Sequence, residues 1–430
     1  MYWQEEIETL PRPELERLQG ERLAQSVARA KAAPFYAERL AGVRPESLKS
    51  PRDVARLPFT TKDDLRAAFP YGLLAAPQSQ AVRLHASSGT TGAPTAVYHT
   101  KRDLQTWAGL VARSLYMAGV RPGDVFQNLV GYGLFTGGLG MHYGAERLGA
   151  LVIPAGTGNS RRQVALMRQF GTTCAHLIPS YAFRLLGVMA EMGLEPRRDT
   201  ALRLMLVGAE PHTDEARRRI QEAYGVRAVN SYGLSEMNGP GVAFECAEQE
   251  GMHLWEDAFL LEVVDPASLE PVEPGQVGEL VMTTLARRAM PLIRYRTRDL
   301  AAVLPGECPC GRTHRRISRI AGRSDDMFII KGVNVYPLQV EAVLLGRAEL
   351  GGNYLIELEA GEAGDAMTVR VETSEKARTL DAAAMRRLAA ELARRLREEI
   401  LVTPRVELAP PGSLPSGPGK AQRVDDRRPR

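Results

Sequence analysis

Lysine is the scarcest charged residue in this chain. Of its 55 basic positions only Lys31, Lys49, Lys62, Lys101, Lys331, Lys376 and Lys420 are lysine, and arginine fills the rest. Arginine is a planar fork, whereas lysine is a compact point charge on a flexible stem. A sequence that uses arginine by default therefore draws attention to the lysines it keeps, Lys331 and Lys420 above all. Cysteine is nearly absent as well: four in 430 residues do not build a disulfide framework. No apolar run approaches the roughly 18 residues of a membrane-spanning helix. Net charge is also lacking, because +4 over this length demands no nucleic-acid partner. The start, MYWQEEIETL, has early acids and no apolar core, which speaks against a secretory leader, so a cytoplasmic protein is expected. The arginines of the tail, Arg423, Arg427, Arg428 and Arg430, read as a solvated, frayed terminus.

What is present is a globular composition, 44% apolar and 25% charged, long enough for more than one domain. ELERLQGERLAQSVARAKA places Leu15, Leu18, Leu23 and Val27 at helical spacing. TTKDDLRAAF offers Thr60 or Thr61 as a helix N-cap followed by acids. From residue 81 short apolar strands alternate with helical stretches: AVRLHA, AVYHT, RLMLVGAE and RAVNSYG, the last two separated by the helix TDEARRRIQEAYG. This alternation predicts an α/β core with parallel strands and ligands at their carboxyl ends. FLLEVVDP, VGELVMTTL and LIRYRTRDLAAVL then alternate as antiparallel strands do. The last hundred residues hold MFIIKGVNVYP, a helix from Asp381 to about Glu399, the strand RVELAP and a Gly/Pro/Ser-rich loop from Ser413 to Gly419, enough for a small α+β domain.

The stretch ASSGTTGAPT (86–95) packs glycines and hydroxyls together as phosphate loops do, yet carries no lysine. A Walker loop requires Gly-x4-Gly-Lys-Ser/Thr, and neither this loop nor PSGPGK ending at Lys420 satisfies it. GYGLFTGGLG (131–140) has Thr136 where a dinucleotide fingerprint needs its third glycine. What remains is an ordered set of short motifs: SSGTTGAPT, VGAEP, NSYGLSE, YRTRD, GRSDDMFIIKGVNVYPLQVE and PSGPGK.

This ordered set resembles the adenylate-forming superfamily of acyl-CoA synthetases. HASSGTTG, YGLFTGGLGMHYGAERLGA, SYGLSEMNGPGVAFEC, AMPLIRYRTRDL and GRSDDMFIIKGVNVYP narrow the resemblance to phenylacetate–CoA ligases, from about residue 20 to Lys420. Thr95 stands where many members of the superfamily have lysine, a departure that this group shares. The resemblance implies a large multi-subdomain AMP-binding and acid-binding N-terminal domain (1–324) and a small mobile α+β C-terminal domain (325–430). It implies ATP, Mg²⁺, coenzyme A and an aryl acetic acid as ligands, a homodimer, and a role in aromatic acid catabolism. A carboxylic acid attacks the α-phosphate of ATP, and a thiol then displaces AMP from the acyl-adenylate.

The carboxylate is its own nucleophile, so this chemistry calls for charge neutralisation and positioning rather than a Ser/His or Cys/His pair. By resemblance, Ser87, Ser88, Gly89, Thr90, Thr91 and Gly92 hold the β- and γ-phosphates, and Glu236 holds Mg²⁺ against them. Tyr232 stacks on adenine, with Gly208, Ala209, Glu210 and Pro211 on its other side; Asn230, Ser231, Gly233 and Arg323 complete the nucleotide site. Asp299 accepts the ribose hydroxyls. Lys420 supplies the positive charge that the loop lacks, bridging the attacking carboxylate and the α-phosphate. The small domain turns about Asp325, withdrawing Lys420 and bringing Lys331 and Gly332 to the pantetheine arm. Tyr132, Phe135, Thr136, Gly137 and Pro240 form a small apolar slot suited to a flat ring. Two other readings are an adenylating enzyme for another aryl acid or for a carrier-protein or amine acceptor, and a non-catalytic ATP-binding relative. The joint presence of Lys420, Glu236 and Asp299 argues against the latter.

The cysteines pose a separate question. Cys246-x6-His253 with Cys308-x-Cys310 has the composition of a closed Cys₃His structural zinc site, with His314 as an alternative fourth ligand. Free buried thiols are the plain alternative. Cys174 reads as a small core residue.

Overall fold

The helical spacing near the start is realised as a helix, Arg12–Ala30, in which Leu15, Leu23 and Val27 are fully buried. The structure is a computed structural model that describes residues 1–86, 95–330, 333–360, 365–415 and 423–428. Thr61 rather than Thr60 caps the helix Lys62–Ala67: its hydroxyl accepts from the Asp64 N–H, and the Asp64 carboxylate accepts from the Thr61 N–H. Thr60 turns inward and hydrogen-bonds the Tyr36 hydroxyl and the Ile293 carbonyl.

Among the described residues the central sheet has nine strands. Arg227–Leu234, Leu204–Gly208, Cys174–Leu177, Val125–Asn128 and Leu151–Ile153 run parallel in that spatial order, as the alternating pattern predicts. Gly239–Glu245, Met252–Leu254, Arg316–Ile317 and Val303–Leu304 extend it on the other side as antiparallel strands. Phe259–Val264, Gly278–Thr284, Tyr295–Ala301 and Gly322–Arg323 make a separate antiparallel sheet. Ala81–Ala86 pairs with Ala96–Thr100 as a two-stranded ribbon flanking the glycine-rich loop.

The residues after 325 build their own apolar core, in which Val340, Leu344, Ile356, Val369, Leu392 and Leu396 pack together. Its sheet runs Arg405–Ala409, Ala366–Thr373, Leu350–Glu359, Val424–Asp426, backed by the helix Ala382–Ile400 with Asp381 as its N-cap. The tail is therefore not frayed over its described residues. Val424–Asp426 pairs in parallel with Ile356–Leu358. The Arg423 guanidinium lies 4.2 Å from the centre of the Tyr354 ring. Arg427 reaches Glu357 and Glu359, and Arg428 reaches Asp365. Terminal arginines that look solvated by composition are held by cross-strand carboxylates.

Hydrogen bonds tie this part to the helix Asp214–Tyr224 and its N-cap Thr213. The Thr213 N–H donates to Glu341 Oε1 at 3.3 Å, and the Arg219 guanidinium donates to the carbonyls of Leu345 and Leu350 at 3.4 and 2.9 Å. Among the described residues no helix is long and apolar enough to cross a membrane.

Candidate active site

The carboxyl ends of the parallel strands open into a cleft of about 2800 Å³, ample for a nucleotide, an acid and part of a third ligand. Leu204–Gly208 runs into Ala209, Glu210 and Pro211, which line it. Ala209 takes a left-handed φ of 64°, a conformation costly for any residue with a Cβ. Gly208 lies beneath this wall: a Cβ there would collide with the Ser231 side chain and carbonyl of the next strand. Glu210 is anchored by the Ser180 N–H and hydroxyl at 3.2 and 3.0 Å.

Arg227–Leu234 brings Asn230, Ser231, Tyr232 and Gly233 to the same cleft and ends in the turn Ser235–Met237, which carries Glu236. That turn requires Gly233, because a Cβ would overlap the Gly239 carbonyl. Asp299 arrives from the other sheet on the strand Tyr295–Ala301. The Tyr232 hydroxyl donates to Asp299 Oδ2 at 2.7 Å, and Arg323 Nη1 donates to Asp299 Oδ1 at 2.9 Å. The Tyr295 hydroxyl donates to Glu236 Oε1 at 3.3 Å. Burial, reinforced by the adjacent carboxylates, pushes both tyrosines well above the usual range, so both remain protonated donors. Glu236 and Asp299 are themselves only 7% and 8% exposed.

The side chains expected around an acid also line this cleft: Tyr132, Phe135, Thr136, Gly137 and Pro240. Phe135 is 53% exposed and so forms a rim rather than a floor. Thr136 Oγ1 lies 3.2 Å from Ser235 Oγ, and Trp107 Nε1 donates to the Pro240 carbonyl at 2.8 Å. The Tyr132 hydroxyl, pushed up to about 12 chiefly by burial, accepts from Asn128 at 2.9 Å. Ser87, Ser88, Gly89, Thr90, Thr91, Gly92, Lys331, Gly332 and Lys420 lie outside the described residues. Asp325 stands apart from the cleft lining, with its side chain 49% exposed.

Sequence reasoning missed several groups here. Lys62, Tyr295, Thr297 and Arg319 line the cleft as well. The Arg287 guanidinium is buried and bonds the carbonyls of Glu236 and Tyr98, tying the carboxylate-bearing turn to the ribbon beside the glycine-rich loop. Burial pushes Arg287 down to about 10. Only the polarity of the RRAMP stretch signalled it.

Away from the cleft, Cys246, His253, Cys308 and Cys310 come together, with their ligand atoms all within 4.8 Å of one another. Cys246 Sγ and Cys308 Sγ are 3.7 Å apart, and Cys310 Sγ is 3.3 Å from His253 Nε2. A tetrahedron with zinc–sulfur bonds of about 2.3 Å has edges of about 3.8 Å, so the donor set fits that ion. His253 Nδ1 faces the His314 carbonyl at 3.1 Å, which leaves Nε2 as the ligand atom. His314 is excluded from the set because both its nitrogens are engaged: Nδ1 accepts from the Glu256 N–H at 3.0 Å, and Nε2 donates to the Ile7 carbonyl at 2.9 Å. Burial lowers His253, but the neighbouring Cys308 and Cys310 sulfurs outweigh it and leave the ring raised to about 9. The first residues of the chain fasten to this loop through a buried Glu8–Arg312 pair at 2.7 Å and the Tyr2 hydroxyl on the Cys310 carbonyl at 3.0 Å. Cys174 is a fully buried core residue.

Residues 22–285 match the AMP-binding enzyme family, and residues 332–428 match the AMP-binding enzyme C-terminal domain. A phenylacetate–coenzyme A ligase of Thermus thermophilus is 46% identical over 445 aligned positions that cover 100% of both chains. The chain belongs to the phenylacetate–CoA ligase family of AMP-binding enzymes. This family catalyses adenylate-forming ligation of an acid to coenzyme A. A solved 2-hydroxyisobutyryl-CoA ligase in the postadenylation state, in complex with 2-HIB-AMP, is 34% identical and matches with a TM-score of 0.93, covering 99% of this chain and 92% of that one. The same enzyme in the thioesterification state, with coenzyme A, is 35% identical at the same coverage but reaches only 0.73. The whole chain thus superposes more closely on that enzyme's postadenylation form than on its thioesterification form.

Proposed function

We propose that this chain joins an aryl acetic acid, phenylacetate or a close analogue, to coenzyme A in two half-reactions at one cleft. In the first, a carboxylate oxygen attacks the α-phosphorus of ATP, forming the acyl-adenylate and releasing pyrophosphate. In the second, the thiol sulfur attacks the acyl carbon, and AMP leaves with the oxygen that came from the acid. The observation that carries this reading is the convergence of Glu236, on the turn after a strand of the central sheet, and Asp299, on a strand of the separate antiparallel sheet, on one cleft at the carboxyl ends of the parallel strands.

Asp299 accepts the ribose hydroxyls, and Tyr232 and Arg323 hold its two oxygens in place. Ala209, Glu210 and Pro211 face the adenine across from Tyr232. Glu236, a buried carboxylate in the cleft lining with one oxygen fixed by Tyr295, would hold Mg²⁺. That ion supplies neutralisation of the phosphate charge. Ser87 to Gly92 cradle the outer phosphates, and Lys420 stabilises the charge that grows on the α-phosphate. The domain boundary falls at Asp325, and rotation there exchanges Lys420 for Lys331 and Gly332 at the cleft. Zinc on Cys246, His253, Cys308 and Cys310 is structural and secures the N-terminal segment. Family resemblance supports a cytoplasmic homodimer serving aromatic acid catabolism.

The test is ATP–pyrophosphate exchange with a panel of aryl and alkyl acids. Exchange that depends on an aryl acetic acid, followed by thioester formation with coenzyme A, is expected. Exchange that no aryl acid supports contradicts the reading, and transfer only to a carrier protein or amine would move it to another acceptor.

A further inference from the structure

The cleft wall beside Tyr132 carries a line of hydrogen bonds whose direction is fixed at one end. The Gly138 carbonyl can only accept, so the amide nitrogen of Asn128 must face it, at 2.8 Å. The same nitrogen donates its second proton to the Tyr132 hydroxyl at 2.9 Å. Asn128 Oδ1 is then the atom that meets His176 Nδ1 at 2.9 Å, and that ring nitrogen must carry the proton. His176 Nε2 is left as a bare acceptor. It has no hydrogen-bond partner among the described residues, and His176 lines the cleft together with Leu129 and Tyr132. Burial pushes His176 down to about 3, which favours the neutral ring that this hydrogen-bond direction already requires.

The other end of the line leads away from the cleft. Glu146 accepts from His142 Nε2 at 3.0 Å, so in the neutral ring Nδ1 is the acceptor and takes the Tyr132 hydroxyl proton at 3.3 Å. Tyr132 thus spends its donor inside the protein. The polar atom this wall offers to a ligand is an acceptor, held in place through Asn128 by a backbone carbonyl.

We propose that His176 Nε2 is a specificity-determining acceptor in the acid-binding part of the cleft, selecting aryl acids that carry a hydroxyl or amino donor on the ring over the unsubstituted acid. The proposal rests on the aryl-acid ligase reading above. His176 lines the cleft, so an unsubstituted ring packed over Nε2 would strip it of water and leave it unpaired, whereas a ring donor would pair it, and sites built to pair a polar substrate group discriminate far better than apolar pockets do. The amide groups of the coenzyme A arm and the adenine amino group are donors too. If His176 served either, its removal would affect every acid equally.

The experiment compares phenylacetate with its 2-, 3- and 4-hydroxy derivatives, its 4-amino derivative and the matching methoxy derivatives, by ATP–pyrophosphate exchange on the full chain. At least one donor-bearing acid should exceed phenylacetate in kcat/KM by about tenfold or more, the scale of one buried hydrogen bond. Its methoxy counterpart, similar in position but without a donor, should show no such gain. In His176→Phe the ratio of donor-bearing to unsubstituted acid should fall to within about threefold of one, the loss expected when the acceptor is removed. No gain for any hydroxylated or aminated acid, an equal gain with methoxy, or an unchanged ratio in His176→Phe overturns the proposal. The wild-type comparison needs no variant, so a poorly folding mutant does not rescue it. Phenylacetate turnover without donor preference overturns this inference alone, whereas exchange with no aryl acid at all removes the functional reading beneath it.

Discussion

The guanidinium of Arg323 joins Asp299 to Asp325. Nη1 lies 2.9 Å from Asp299 Oδ1, while Nε and Nη2 lie 2.8 and 2.9 Å from the two oxygens of Asp325. The proposed ribose carboxylate and the proposed hinge thus share one cation. The Asp299 side of the bridge is buried and also held by Tyr232, whereas the Asp325 side is half exposed. An exposed ion pair is weak and easily exchanged, so the proposed rotation at Asp325 would break its half while the Asp299 half stays in place.

Asp299→Ala should raise the KM for ATP far more than the KM for the acid. Losing a charged hydrogen-bond acceptor costs about 1.5–3 kcal/mol, so a rise of about tenfold to a hundredfold is expected. Steady-state kinetics with each substrate varied in turn provides the check. An equal rise for both substrates would mean that the carboxylate holds the cleft together rather than the ribose.

Metal analysis should find close to one zinc per chain. Cys308→Ser should lose it, and chelation should loosen the N-terminal residues that fasten to the loop through Glu8 and Tyr2. His314→Ala should keep the metal, because both ring nitrogens of His314 are bonded elsewhere. Metal-free protein of normal stability would remove the zinc assignment.

Much of the lining of this cleft was legible in the sequence because its residues sit in short contiguous motifs. Thr61, Asp381, the strand-to-turn passage at 227–237 and the parallel strands follow from local capping and alternation. What links them was not legible. The Tyr295–Glu236 and Tyr232–Asp299 bonds join the separate antiparallel sheet to the strand Arg227–Leu234 and the turn after it, and no periodicity encodes such a pairing. Val424–Asp426 escaped notice because a strand of two acids and one valine has no apolar alternation; the carboxylates that fix its arginines lie far back in the chain. Spacing could not choose between His253 and His314. That choice depended on what the second ring nitrogen of each one bonds. The antiparallel extension of the main sheet was missed for a similar reason, since alternation signals a strand but not its neighbour.

Stability should fall as pH drops from 7 towards 4. Burial holds His176 down to about 3 and His212 down to about 4, both below the ordinary histidine value. Between that value, about 6.5, and the folded values, the unfolded chain binds more protons than the native one, so acid favours unfolding. Above about pH 6.5 both rings are neutral in both states and contribute no pH dependence. Each histidine contributes at most about 1.4 kcal/mol per pH unit within the window. Urea midpoints measured at pH 7, 6 and 5 should decline, and a double replacement by phenylalanine should flatten the slope. Stability that is level or rising on acidification would contradict the burial of these neutral rings.

Lys420→Ala should abolish acyl-adenylate formation, by at least about a hundredfold for one charged stabilising group. Given chemically made phenylacetyl-AMP, the same variant should still transfer the acyl group to coenzyme A. Asp325→Pro should show the reverse if it blocks rotation, because proline fixes φ and restricts its neighbour. Single-turnover assays of each half-reaction distinguish the two. Equal damage to both half-reactions in Lys420→Ala would make the lysine structural and leave the domain rotation without its main support.

The central claim is that the acid attacks ATP at the α-phosphorus and that AMP leaves with the acid's oxygen. Phenylacetate labelled with ¹⁸O in its carboxylate, turned over with ATP and coenzyme A, tests this directly by mass spectrometry of the products. The account predicts one labelled oxygen in the phosphate of AMP and none in pyrophosphate. Label in inorganic phosphate, with ADP as the nucleotide product, would show an acyl phosphate route and contradict it.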